Sequence, residues 1–200
     1  EYSTNYSKLV STSTLNYNKN FGKNNLDLLV GYEAEKNTTN YQYASGSNLP
    51  SSALHTVATA GVKDASAYYW GNSIMSILSK AEYNFDERFF VSGSFRRDGS
   101  SRLGPDTRWG NFWSVSGAWN LKKEAFLEDI SAINYIRLKA SYGTNGTLPG
   151  ANFGWRSLAS YGYNYQGQPG GAITTVADAN LKWEKSYSLN VGTEFGLFNN

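Results

Sequence analysis

The sequence predicts an all-β protein: a seven-stranded antiparallel meander forming an arc of a large transmembrane β-barrel. Three observations carry this. Apolar and polar residues alternate with period two in segment after segment, as they do when successive side chains point to opposite faces of a strand. Short turns alternate with long connections, the pattern of a barrel with turns at one rim and loops at the other. The aromatics, 15 Tyr, 10 Phe and 6 Trp among 200 residues, gather near strand ends, as interfacial girdles do.

The strands follow in order, near 6–21, 26–36, 74–85, 89–98, 109–121, 135–144 and 183–198. Leu15, Tyr17 and Phe21 lead into Gly22-Lys23-Asn24-Asn25, residue types that favour a tight turn. Leu26, Leu28, Val30, Tyr32 and Ala34 then alternate with the mostly polar Asp27, Leu29, Gly31, Glu33 and Glu35, which completes a hairpin. Met75, Ile77, Ala81, Tyr83 and Phe85 form the third strand, and Asp86-Glu87-Arg88 turns the chain into Phe89, Val91 and Phe95. Trp109, Trp113, Val115 and Trp119 mark the fifth strand. Ile136, Leu138, Ala140 and Tyr142 mark the sixth, and Trp183, Tyr187, Leu189, Val191 and Phe195 the seventh. Lys122 to Ile130 carries the one helical hint. Long loops are expected over 37–73 and 145–182, with a shorter one over 99–108. Loops longer than about 12–15 residues are uncommon in compact domains. Tyr83, Phe85, Phe89, Phe90, Trp119 and Phe195 would form the girdle beside the short turns, and Trp109, Trp113, Tyr142 and Trp183 the one beside the loops.

Composition narrows the chemistry. The chain has no Cys and one His, His55, in a Ser/Thr/Ala-rich stretch. Thiolate metal sites, disulfides and Cys nucleophiles are excluded, and no catalytic set or metal site is legible. Lys plus Arg (18) nearly balances Asp plus Glu (16), so nothing suggests nucleic-acid binding. The chain opens Glu1-Tyr2-Ser3-Thr4, with neither Met nor a leader, and reads as something other than a complete precursor. By strand parity Asp27, Glu33, Glu35, Lys80, Glu82, Arg96, Asp98, Arg137, Lys139, Glu184 and Glu194 share the polar face, a mixed wall that pairs charges across a lumen.

Several ordered blocks resemble the SusC/RagA family of TonB-dependent outer-membrane transporters. They are Arg96-Arg97-Asp98-Gly99-Ser100-Ser101-Arg102-Leu103-Gly104, Arg108 to Ser116, Trp119 to Leu127, Ile136 to Gly146, Leu181 to Lys185, Asn190-Val191-Gly192 and Glu194 to Asn200. The family usually carries an aromatic where Leu103 stands, and the first 75 residues match only as generic barrel strands and a variable loop. The resemblance implies a barrel of about 22 strands in the outer membrane of a Gram-negative bacterium, surrounded by outer-membrane lipid. It implies periplasmic short turns and extracellular long loops. It also implies active import of oligosaccharides or peptides, energised by the TonB complex, under a SusD-like surface lipoprotein acting as lid. No cofactor is implied. The plug domain and the segment that engages TonB are not expected within this chain.

Two sets of residues are candidates for contact. Tyr41, Tyr43, Tyr68, Tyr69 and Trp70 in the first long loop, with Trp155, Tyr161, Tyr163 and Tyr165 in the last, are candidates for ligand or lid, since flat rings stack on sugar faces or grip peptide. Arg96, Arg97, Asp98, Ser100, Ser101 and Arg102 form a polar cluster at the mouth. It reads either as a binding patch or as a loop anchor, in which Asp98 accepts from arginines and Gly99 supplies a positive φ. From other classes come a soluble secreted β-sandwich that binds carbohydrate through loop aromatics, and a passive porin arc.

Overall fold

The computed structural model describes residues 1–198. Among the described residues nine strands run in chain order: β1 (Tyr2–Phe21), β2 (Asn24–Ser47), β3 (Val62–Phe85), β4 (Phe89–Ser100), β5 (Trp109–Asn120), β6 (Ile133–Thr147), β7 (Leu158–Tyr165), β8 (Gln168–Thr175) and β9 (Glu184–Leu197). Seven form one antiparallel sheet in the order β1-β2-β3-β4-β5-β6-β9, and β7 and β8 form a separate hairpin. The sheet is an open arc.

The long loop expected over 37–73 shrinks to residues 48–61, because β2 and β3 continue well past the aliphatic band. Tyr41 stays paired with Tyr68, and Ser47 with Val62. Thr and Tyr suit strands, and the ladder keeps the backbone paired where no aliphatic alternation remains. β1 follows the same extension up to Tyr2, opposite Tyr43. The stretch expected as loop over 145–182 holds the end of β6 and the β7–β8 hairpin, turned by Gln166 at φ +51° and Gly167 at φ +82°. Paired positive φ angles suit a two-residue hairpin turn. The helical hint shortens to a single turn, α1 (Ala125–Glu128).

Register divides the sheet into two faces. Asp27 lies opposite Glu82, Glu33 opposite Ser76, and Ser76 opposite Asp98. Arg137 lies opposite Glu194 and Thr147 opposite Glu184. All the charges assigned to the polar wall therefore share one face, here called inward. Leu15, Val30, Ile77, Val91, Phe95, Val115, Val191 and Phe195 share the other and are exposed. Phe90 and Trp183 leave the expected girdles. Phe90 falls on the inward face, where the Arg137 guanidinium stacks over its ring. Trp183 precedes β9 and turns into the mouth.

At the short-turn rim a belt of ion pairs ties three connections together. Gly22 takes φ +63° in the β1–β2 turn. The β3–β4 turn holds Asp86 and Glu87 at φ +54°, a strained region for both. Lys23 reaches Asp86 at 2.7 Å and Lys123 reaches Glu87 at 2.8 Å. The Arg88 guanidinium meets Glu124 at 2.5 and 3.1 Å, and Trp119 Nε1 donates to the same carboxylate at 2.9 Å. The Lys23 hydrogen bond holds the Asp86 carboxyl below its ordinary pKa, and the Arg88 bond does the same for Glu124. Arg88 and Lys123 are pushed up by their carboxylate partners. The depressed carboxylates stabilise the fold above the usual carboxylate range, and this is lost as pH falls through their lowered values. The raised cations hold their share until strongly alkaline pH. We expect amide exchange in the 86–88 and 121–124 turns to accelerate on acidification below pH of about 4, and Asp86→Asn with Glu124→Gln to remove that acid dependence.

Candidate functional site at the loop rim

The mouth is built on the extended β2–β3 hairpin and on the loops 101–108 and 148–183. On the inward face Tyr41 stacks on Tyr68 with centroids 4.4 Å apart, and Tyr68 on Trp70 at 5.1 Å. Such offset stacks contribute about 0.5–1.5 kcal/mol each beyond area burial. The middle ring has both faces engaged, so the free faces belong to Tyr41 and Trp70. Tyr43 shares their face by alternation, and Tyr69 points outward. Tyr6 lies inward on β1 and donates its hydroxyl to Asn37 Oδ1 at 2.8 Å.

Tyr161, Tyr163 and Tyr165 stand exposed on β7, whose flanking residues 157–177 carry no charge. Trp155 instead packs beside Gly104, with the Arg156 guanidinium 4.3 Å over its ring. The nine aromatic candidates therefore separate into an inward stack with Tyr43, an outward Tyr69, a free hairpin and a packed Trp155.

The Arg/Asp/Ser cluster is hydrogen-bonded within itself and to neighbouring strands and loops. Arg96 donates to Asp98 at 2.7 Å and to Ser76 at 2.9 Å, and lies 3.5 Å from Glu33. Asp98, Ser76 and Ser100 are buried. Ser101 Oγ accepts from the Ser73 amide at 2.9 Å, and the Arg102 guanidinium reaches the Gly150 carbonyl. Arg97 points outward, over the Trp109 ring at 5.2 Å. The positive φ expected of Gly99 is absent. Glycine is required there because the Trp109 ring lies 2.8 Å from where a Cβ would stand.

Beneath the loops lies a small core that the sequence did not reveal. Leu103 is fully buried, and Phe112 meets Trp183 edge-on at 5.3 Å. Trp183 Nε1 donates to the Arg108 carbonyl at 2.9 Å, and Thr107 Oγ1 to that of Leu181 at 2.6 Å. Leu103, an aliphatic inside a polar turn, was the signal available. Along the wall the charges pair on the sheet: Lys8 with Glu35 at 2.8 Å, Lys80 with Glu82 at 2.8 Å, and Lys139 with Glu194. Cross-strand hydroxyl pairs, Ser92–Ser116 at 2.7 Å and Ser94–Ser114 at 2.6 Å, lie between them. Among the described residues no group of carboxylates or imidazole is arranged to hold a metal.

A family model described as TonB dependent receptor-like, beta-barrel, matches residues 1–200. The chain belongs to this family. Among its relatives, TonB-dependent receptor P3 of Formosa agariphila is 30% identical over 98% of this chain. TonB-dependent receptor SusC of Bacteroides thetaiotaomicron is 29% identical over 92% of it. The solved RagAB peptide transporter superposes with a TM-score of 0.88 at 25% identity, over 99% of this chain and 22% of that one. The chain spans about a fifth of the length of these curated relatives. A TonB-dependent receptor barrel accounts for the two-faced sheet, with the apolar face toward lipid and the charged face toward the lumen.

Proposed function

We propose that this chain forms part of the wall and mouth of an outer-membrane importer of oligosaccharides or peptides. The importer is energised through TonB and works with a surface lipoprotein of the SusD/RagB type. The carrying observation is the sheet's division into an exposed apolar band and a charged face, extended above the band by an inward aromatic stack. Similarity to SusC and to the RagAB peptide transporter supports the substrate class and the lipoprotein partner. In this reading the short turns are periplasmic, and Tyr161, Tyr163 and Tyr165 are offered to the lipoprotein. The role is passage, not catalysis. A soluble sandwich needs a second sheet over the apolar face, and among the described residues none lies there.

The test is uptake by cells that carry or lack the full-length gene, using labelled oligosaccharides and peptides. Uptake of at least one class should be lost on deletion, and unchanged uptake of every glycan and peptide would refute the reading. Trp70→Ala should weaken capture of that substrate about two- to tenfold, one stacking contact's worth. Tyr69→Ala, on the outward face, should leave it unchanged.

A further inference from the structure

The charges on the main sheet are sorted by face and by sign. Every strand carboxylate, Asp27, Glu33, Glu35, Asp64, Glu82, Asp98, Glu184 and Glu194, lies inward. The outward face carries Lys19, Lys36, Lys63 and Arg97, with no acidic residue, while the Lys185 ammonium turns over the Phe112 ring. Lys36, Lys63 and Arg97 lie toward the loops, while Lys19 stands beside the short β1–β2 turn, opposite Leu26. A membrane strand needs about 9–11 residues, so counting up from the short turns at Asn24 and Phe89 places Lys36 and Arg97 at the loop-side rim.

Lys36 borders an outward groove of about 360 Å³, shared with Tyr32, Ser73, Met75, Ser101 and Trp109. Trp109 is the ring over which Arg97 lies. Neither Lys36 nor Arg97 forms an ion pair among the described residues. Glu35, the one carboxylate beside the groove, belongs by alternation to the opposite face and is paired there with Lys8. Arg108 also borders the groove, and its buried Nε has no acceptor. The groove thus offers an apolar floor, hydroxyls from Ser73 and Ser101, and unpaired cations at the height where headgroups begin.

We propose that this groove holds an anionic lipid of the outer leaflet, its phosphate between Lys36 and Arg97 and its acyl chain along Met75 and Tyr32. The proposal rests on the outer-membrane placement proposed above. Charge complementarity selects the occupant: a neutral lipid would gain nothing from the unpaired cations beside this groove. Each basic group near a membrane surface contributes about a fivefold gain in affinity for anionic lipid.

The test uses the full-length transporter purified from outer membranes and placed in phosphatidylcholine nanodiscs containing lipid A or its dephosphorylated form. Retained lipid is measured by mass spectrometry. Wild type should retain the phosphorylated form preferentially. Lys36→Gln with Arg97→Gln should lose most of that retention, while Lys63→Gln keeps it. Lys36→Arg with Arg97→Lys should restore it, which separates charge from folding. Equal retention by the double Gln variant, or equal binding of dephosphorylated lipid, would overturn the proposal. Displacement of lipid A by an equal concentration of inorganic phosphate would overturn the lipid assignment in favour of a free-phosphate site. If the protein fails to fractionate with the outer membrane, the placement itself fails first.

Discussion

Replacing Val115 by arginine is expected to destabilise the folded barrel by about 2–4 kcal/mol, the cost of a cation on the lipid face near the bilayer midplane. Val115 is outward, half exposed, and lies opposite Gly93 and Tyr142 near the middle of β5. The adjoining Ser116 faces inward, where its hydroxyl meets Ser92. Ser116→Arg, one residue away, should cost far less because the lumen supplies water. The comparison holds strand, height and substituent nearly constant and changes only the face. Equilibrium unfolding of the full-length protein in lipid vesicles checks it. Equal costs at the two positions would refute the assignment of faces.

Phe112→Ala carries an expected loss of about 3–5 kcal/mol, the range for emptying a buried aromatic site. The β5–β6 ladder stops at Ser114 opposite Gly143. Above that point Thr144 Oγ1 takes the Trp113 amide at 3.0 Å, and the strands part. The Phe112 ring fills the opening, lying against Gly110 and Gly146, where no larger side chain fits. It also receives Trp183 edge-on, so its loss frees the approach to β9. Limited proteolysis within 148–183 should accelerate in Phe112→Ala, while Phe112→Leu, which keeps part of the volume, should lie between. Unaltered stability and cleavage would show that the ring is incidental.

What was legible in the sequence was whatever the lipid layer imposes. Leu26 to Ala34 and Phe89 to Phe95 alternate because one face meets acyl chains, and those strands lie where periodicity put them. Beyond Lys36 both faces meet water, so alternation loses its aliphatic mark although pairing continues to Ser47. Tyr161, Tyr163 and Tyr165 beside Gln166-Gly167 did carry a hairpin signal, but against a Gly- and Ser-rich background it reads as loop. The mouth cluster was legible as a motif, and its local hydrogen bonding follows from residue types. The Phe112–Trp183 contact and the cover of Gly99 by Trp109 depend on how separate segments pack, which no local pattern encodes.

The order of the strands also bears on assembly. Every strand from β2 to β6 finds its partner immediately before it, across turns as short as Gly22-Lys23. Only β9 must return to β6 over residues 148–183. By polymer statistics each doubling of a loop costs about 0.6 kcal/mol, so this closure carries about 2.5 kcal/mol more entropy cost than the first hairpin. Prior zipping of β7 against β8 shortens the effective loop and lowers that cost. The excursion that furnishes the mouth is thus also a kinetic aid, letting the wall close over it one strand at a time.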